Sequence, residues 1–345
     1  MILIFLSHCR SWLERVWRKL LGWKGCPSIM ITATGGGEMI DPDNHLPDLT
    51  GFVSKNSPNP IAQGSFADVW NCTYTAFKRQ GLEVAVKCIR IDVVTDDSRA
   101  RITQRLLDDF HARKQLRHKN ILPLLGFSHE FGLLPAMVSP WIHNGSLTTY
   151  LAHNFIDLTI DSKLRILRQV AGAIGYLHSK GVVHGDLTAN NILIDSKHNA
   201  HVADHGILTM CSELSGTSYI RSNVRWAAPE LFEVPENEEL STAPKPASDI
   251  YSFGCIMLQV MTGRPPYADV RSDHQVTVLI IKGKKPSRPT NPPVADSFWD
   301  YIEKCWSDAA SRPSAVEVLS FLDQIMPADM KFALLSWVKE GWQGE

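Results

Sequence analysis

No C-x-x-C pair occurs in this 345-residue chain, and its seven cysteines (Cys9, Cys26, Cys72, Cys88, Cys211, Cys255, Cys305) are dispersed and odd in number. That pattern argues against a disulfide frame or a zinc site and favours reduced thiols in a cytoplasmic protein. The thirteen histidines form no ligand-spaced cluster with cysteines or carboxylates, so no structural metal is expected. Long apolar runs are missing too. Residues 1–6 are apolar but far too short to span a bilayer, and they lack the leading positive charge of a signal peptide. Net charge is almost absent, at -1, which gives no electrostatic reason to expect nucleic acid as a partner. What remains, 44% apolar and 21% charged residues, describes an ordinary globular chain with a large core. Its length suits two domains, or one two-lobed domain with tails.

The most informative stretch is residues 182–195, VVHGDLTANNILID. A short loop between hydrophobic anchors carries one carboxylate, Asp186, and one carboxamide, Asn191, five residues later. Phosphoryl transfer from ATP asks for such a pair: a base to receive a hydroxyl proton, and an amide oxygen to ligand a magnesium ion. A second carboxylate, Asp204 in VADHGI, follows a short apolar strand nine residues past Asp195. Asp186 alone would read equally well as a loop-capping residue; Asn191 and Asp204 at these spacings favour the chemical role. The segment resembles the catalytic loop and magnesium-binding segment of protein kinases, with HGD in place of HRD and DHG in place of DFG.

That resemblance extends along the chain. Residues 61–73 read as two strands joined by a small-residue turn, and resemble the family's glycine-rich loop, in which only Gly64 survives beside Ala62 and Ala67. Val69 would cover the adenine. The strand at residues 83–91 contains Val84-Ala85-Val86-Lys87, similar to the family's V-A-x-K, and the resemblance gives Lys87 the α- and β-phosphates. A helix is expected over residues 98–117. The family's helix supplies a Glu to pair with that lysine, yet no Glu occurs from residue 100 to 129, and the slot falls on Asp109. Two strands over residues 121–140 lead to a hinge-like SPWIHNGSL, where Ser139 leaves space behind the adenine, Pro140 offers a carbonyl and Ile142 an N–H. Ala85 and Leu193 complete the implied ATP-binding set. Ser146 reads as a helix N-cap, and residues 162–179 as an amphipathic helix feeding the catalytic loop. Residues 204–230 would be the activation segment, ending in Ala228-Pro229-Glu230. Residues 249–262 are nearly all apolar and read as a buried helix, whose leading Asp249 would brace the loop around His184 from below. Arg312 would pair with Glu230 in a largely buried bidentate bridge.

The resemblance implies an α+β, two-lobed protein kinase fold: a small β-rich N-lobe with one main helix and a larger, mostly helical C-lobe. The kinase domain would cover residues 49–326, split into 49–140 and 145–326, after an extension at 1–48 and before a tail at 327–345. Residues 225–230, 248–254 and 305–306, with Val69-Trp70, resemble the tyrosine-kinase-like group and its fungal members. The implied activity is transfer of the ATP γ-phosphoryl group to a protein hydroxyl, with Asp186, Lys87 and Asn191 as catalytic residues, Asn191 and Asp204 as ligands of Mg2+, and ATP and a protein substrate as partners. Small-molecule kinases share H-G-D-x-x-x-x-N but lack the later motifs. A rival from another class is a catalytically weak pseudokinase serving as a binding module. Gly185 replaces an Arg that receives an activation-loop phosphate, Thr188 a Lys aimed at the moving phosphoryl group, Asn223 a hydroxyl residue and His205 the Phe of D-F-G, with Arg113 in an apolar helix slot. Residues 11–23 form a basic, Trp-rich amphipathic pattern that suits peripheral membrane contact or packing on the chain's own domain.

Overall fold

The computed structural model describes residues 46–64, 66–75, 81–91, 95–215, 223–232 and 243–325. The amphipathic pattern at 11–23, the rest of the extension up to residue 45 and the tail at 327–345 lie outside them. The described residues divide into two compact units: residues 46–117 with 123–141, and residues 118–122 with 142–325.

The first unit is an antiparallel sheet. Its strands are β1 (Val53–Lys55), β2 (Ala62–Gln63), β3 (Ala67–Tyr74), β4 (Leu82–Ile89), β5 (Gly126–Ser128) and β6 (Ala136–Pro140). They run in the order β1-β3-β4-β6-β5, with β2 paired to β3. Alternation decides the faces: Val84, Val86 and Val138 are fully buried in a cluster with Leu49, Val53, Cys72 and Ala136. One helix, α1 (Asp96–Gln115), accompanies the sheet. It starts ahead of the expected residue 98 because Thr95 and Ser98 form a reciprocal capping box. Its inward stripe, Ile102, Leu106, Phe110 and Lys114, repeats every four residues and ends on a lysine. The segment read as a strand over residues 121–128 pairs within this sheet only from Gly126. Residues 120–122 instead bond to the second unit, Leu122 N–H donating to Val202 O at 2.9 Å and Val202 N–H to Asn120 O at 2.8 Å.

The second unit is mostly helical: α2 (Leu147–Asn154), α3 (Ile160–Ser179), α4 (Ile207–Ser215), α5 (Pro246–Thr262), α6 (Asp273–Ile281), α7 (Asp296–Cys305) and α8 (Ala315–Gln324), with a small hairpin of β7 (Ile192–Ile194) and β8 (Ala200–Val202). Every residue of α5 from Ser248 to Thr262 is buried, as its apolar composition requires. α3 packs on α8 and α5, and α5 on α7. At Gly254 a side chain would stand 2.8 Å from Trp306 Nε1 and 2.9 Å from the Cys305 Cβ, so glycine lets α5 approach α7. Ser146 caps α2, accepting from Thr149 N–H at 3.3 Å. A further element departs from the sequence reading. Residues 207–215, read as activation loop, form α4, with Ile207, Leu208, Met210 and Cys211 buried.

Candidate active site

The first unit gathers most of the sequence-selected ATP residues on one side of its sheet. Ala62 lies opposite Val69, Val69 opposite Lys87, and Ala85 opposite Ser139. Directly opposed residues share a face and alternate residues return to it. Ala62, Ala67, Val69, Ala85, Lys87 and Ser139 therefore line one face, while Val84 and Val86 turn to the buried one. Pro140, opposite Val84, puts its ring on the core side and keeps only its main chain for another role. The Lys87 ammonium lies 5.5 Å from the centroid of the Phe66 ring.

The hairpin tip carries a restraint that sequence reasoning missed. Gly64 N–H donates back to Ala67 O at 2.8 Å. The Arg90 guanidinium donates to Gly64 O and, at 2.8 Å, to the Asp68 carboxylate. Two of the family's glycines are absent here, and a cation ties the turn from below. Only the charge and position of Arg90, directly after β4, hinted at this in the sequence. On α1, Asp109 is forked by Arg113, whose Nε donates to Oδ2 and whose Nη2 donates to Oδ1 at 3.3 Å. Arg113 is largely buried, and this i,i+4 pair makes it a partner of the carboxylate that the sequence reading reserved for Lys87.

The second unit builds the catalytic loop around two carboxylates. Asp249, 1% exposed at the start of α5, accepts from His184 N–H at 2.8 Å, Gly185 N–H at 2.9 Å and His178 Nε2 at 2.8 Å. His178, which sequence reasoning missed, ends α3, so the carboxylate joins α3, α5 and the loop. Gly185 takes φ +77°, and His184 Nδ1 accepts from Asp186 N–H at 3.3 Å. These contacts present the Asp186 carboxylate. Asn191 Nδ2 donates to Asp186 O at 2.8 Å and to Asp186 Oδ2 at 3.1 Å. Asn223 Nδ2 reaches both carboxylate oxygens, at 3.3 and 3.2 Å.

The β7–β8 register then sets Asp204. Ile192 pairs with Val202, and Ala203 N–H donates to Asn191 O at 2.8 Å, so Asp204 follows immediately beside Asn191. Asp204 holds φ +61°, a strained value for a non-glycine residue, and Gly206 N–H anchors the turn on His184 O at 2.8 Å. With both Asn191 amide bonds directed at Asp186, its Oδ1 is the atom left to accept or to ligate. An amide oxygen and a carboxylate are hard donors, the set that magnesium takes together with substrate phosphates, so these two residues fit that ion. Leu193 lies in β7 and Ile142 just ahead of α2. His205 is buried at 6% exposure, as is Thr188 at 1%, whose hydroxyl has no hydrogen-bond partner among the described residues. Farther out, Arg312 forks Glu230 at 2.5 and 2.9 Å and also donates to Ser307 O and Ala247 O.

An antiparallel sheet with one helix, a helical second unit, and a loop holding an Asp, an Asn and a following Asp define the protein kinase class. A family model described as protein tyrosine and serine/threonine kinase matches residues 56–322, and the chain belongs to that family. It is 25% identical over 269 residues to the serine/threonine-protein kinase STY17 of Arabidopsis thaliana, covering 77% of this chain and 44% of that protein. It is 33% identical over 228 residues to retinal guanylyl cyclase 2 of Homo sapiens, covering 64% of this chain and 20% of that one. To the RAF proto-oncogene serine/threonine-protein kinase of Xenopus laevis it is 28% identical over 226 residues, 65% of this chain and 33% of that one. The chain thus spans less than half the length of each. The kinases among them support the tyrosine-kinase-like placement, but not the finer likeness to fungal members.

Proposed function

We propose that this chain transfers the γ-phosphoryl group of ATP to a serine or threonine hydroxyl of a protein. The observation that carries this is the bonded set Asp186–Asn191–Ala203, which holds the carboxylate and puts Asp204 beside Asn191. Asp186 accepts the proton of the acceptor hydroxyl as its oxygen attacks the γ-phosphorus, and the β–γ bridging oxygen leaves with ADP. Lys87 neutralises the α- and β-phosphates. Ala62, Val69, Ala85 and Ser139 form the apolar and small-residue face beside it, with the main chain of Pro140 and Ile142 for the adenine edge and Leu193 as a further apolar contact. Asn191 and Asp204 would hold Mg2+, which supplies charge neutralisation for the phosphates when bound. Asp249, with His178, keeps His184 and Gly185 in place so that Asp186 points outward.

A thermal-shift titration with ATP, with and without magnesium, tests the reading. Stabilisation by ATP that needs magnesium supports it. No stabilisation in either case supports the second reading, a binding module without turnover. One observation motivates that alternative: the neutral, buried Thr188 beside the base. The described cysteines are free thiols, which supports a reducing, cytoplasmic setting. Peripheral membrane contact through residues 11–23 remains a proposal resting on their sequence pattern alone.

A further inference from the structure

We propose that Arg90 is a positioning residue for nucleotide phosphates. From the face of the sheet opposite Lys87 it straps the β2–β3 turn into one shape, and this strengthens binding of ATP and ADP but not of adenosine. The inference deepens the nucleotide-binding reading of this sheet and rests on it for its consequence, but not for its geometry.

A loop that closes over phosphates offers them main-chain N–H groups, and a flexible loop loses part of that binding energy in becoming ordered. Glycine-rich turns are the extreme case, because glycine gives up the most conformational freedom. This turn has Ala62 and Ala67 on its flanking strands and Gly64 between them. The strand register shows where the strap lies. Val69 stands opposite Lys87 and Asp68 opposite Cys88, so Asp68 faces away from the Lys87 side. The ladder runs one step past β4, with Arg90 N–H donating to Phe66 O at 2.7 Å. Arg90, two residues beyond Cys88, falls on the Asp68 face. There its guanidinium donates to Asp68 Oδ1 at 2.8 Å and to Gly64 O. Its charge is engaged by Asp68 on the far face, so it acts on phosphates through the turn rather than by contact. Gly64 is held at both ends, its N–H donating to Ala67 O at 2.8 Å and its O accepting from Arg90. A carbonyl oxygen drawn to the far face does not oppose an anionic phosphate. The main-chain bond from Arg90 also fixes Phe66, whose ring centroid lies 5.5 Å from the Lys87 ammonium. One residue thus ties the tip of the turn, the strand that follows it and the aromatic neighbour of the lysine. The Arg90 side chain is 45% exposed, so the ion pair itself adds little to stability, and its effect belongs in ligand affinity.

The test compares the full-length parent with Arg90→Ala and Arg90→Lys. Calorimetric Kd values are measured for Mg-ATP, Mg-ADP and adenosine. For Arg90→Ala the strap predicts ATP and ADP binding weaker by about five- to thirtyfold, the scale of ordering one backbone residue, with adenosine within about twofold. Arg90→Lys, whose ammonium cannot fork both acceptors, should fall between the two. Independently, hydrogen exchange in the nucleotide-free protein, followed by NMR, should be about fivefold faster or more at the Gly64 amide of Arg90→Ala. It should stay unchanged at Val84 in the core of β4. Parent-like ATP affinity in Arg90→Ala would overturn the proposal, as would unchanged exchange at Gly64. An equal loss for adenosine and ATP, or a Tm lowered by several degrees, would mark a general structural role and overturn it as well. Faster exchange in the variant, with a parent that binds neither ATP nor ADP, would leave the strap standing but overturn the nucleotide reading, and with it the role in phosphate binding.

Discussion

Gly185 occupies a backbone position that other residues adopt only under strain. Its φ is +77°, and a Cβ there would stand 3.1 Å from Pro244 Cγ and 3.2 Å from Thr209 Oγ1. Gly185→Ala should therefore lose about 2 kcal/mol of stability, from the left-handed backbone and the crowding together; urea unfolding showing no loss would mean that the loop relaxes. The missing side chain here is thus matched by Pro244 and by Thr209 on α4, both packed against the glycine. Thr188 poses the opposite question. Charge develops on the phosphoryl oxygens during transfer, and a preorganised cation there is worth on the order of a hundredfold, roughly 3 kcal/mol. Thr188→Lys should raise kcat with little change in the ATP Kd, since the gain is made mainly in the transition state. A variant that binds Mg-ATP as before and gains no rate would show that the absent cation is not what limits turnover. Arg225, two residues past Asn223, donates to Asp273, Pro266 O, Tyr267 O and Val270 O, so its guanidinium is already engaged.

Between elements, two ionic features stand out. The Arg312 side chain is 2% exposed and joins Glu230 to the residues before α8, with its guanidinium 5.2 Å from the Tyr251 ring. Glu230→Ala would strand a buried guanidinium and should cost about 3 kcal/mol, whereas Glu230→Ala with Arg312→Met should cost less, because the uncompensated charge is gone. Equal losses in the two variants, by denaturant titration, would contradict this. Lys114 ends the apolar stripe of α1, donating to Leu124 O at 3.3 Å and Leu125 O at 3.4 Å. Burial, helped by Arg117, lowers its pKa from 10.5 to about 7. The folded state then binds fewer protons than the unfolded chain between those values, so unfolding free energy should rise with pH across that window and be lowest below about pH 7. The rise should amount to a few kcal/mol, at about 1.4 kcal/mol per pH unit. Lys114→Met should flatten it and stabilise the protein at neutral pH; a parent and a variant with parallel pH profiles would place the ammonium in a solvated site. Such features explain what the sequence could and could not tell. α5 was legible because fifteen consecutive buried positions leave a composition signature, and the catalytic loop because its spacing is dictated by chemistry. α4 was missed although Ile207, Met210 and Cys211 already sat at helical spacing, since the activation-segment resemblance made a loop the prior reading. Arg90 and His178 were missed because their partners, Gly64 O, Asp68 and Asp249, are fixed by tertiary pairing that no local pattern encodes. Asp109 was assigned by register alone, and its neighbour Arg113, one turn along α1, competes for it.

At the scale of the whole molecule, the proposed activity converges on one carboxylate, Asp186. One unit presents a sheet face with Lys87 among small and apolar side chains, and the other presents Asp186 with Asn191 and Asp204 behind it. The altered positions, Gly185, Thr188, His205 and Asn223, surround this set without replacing it. The side chains suited to phosphate (Lys87), proton (Asp186) and metal (Asn191, Asp204) are all present, and that is the ground for preferring an enzyme over a binding module. The most direct measurement is transfer of labelled γ-phosphate from Mg-ATP to dephosphorylated casein by the parent and by Asp186→Asn, with Mg-ATP binding measured on both. The account predicts transfer by the parent, a loss on the order of a hundredfold or more in Asp186→Asn from removal of the base, and similar Mg-ATP affinity for the two. Equal transfer by both proteins, or Mg-ATP binding by the parent with no transfer at all, would contradict it.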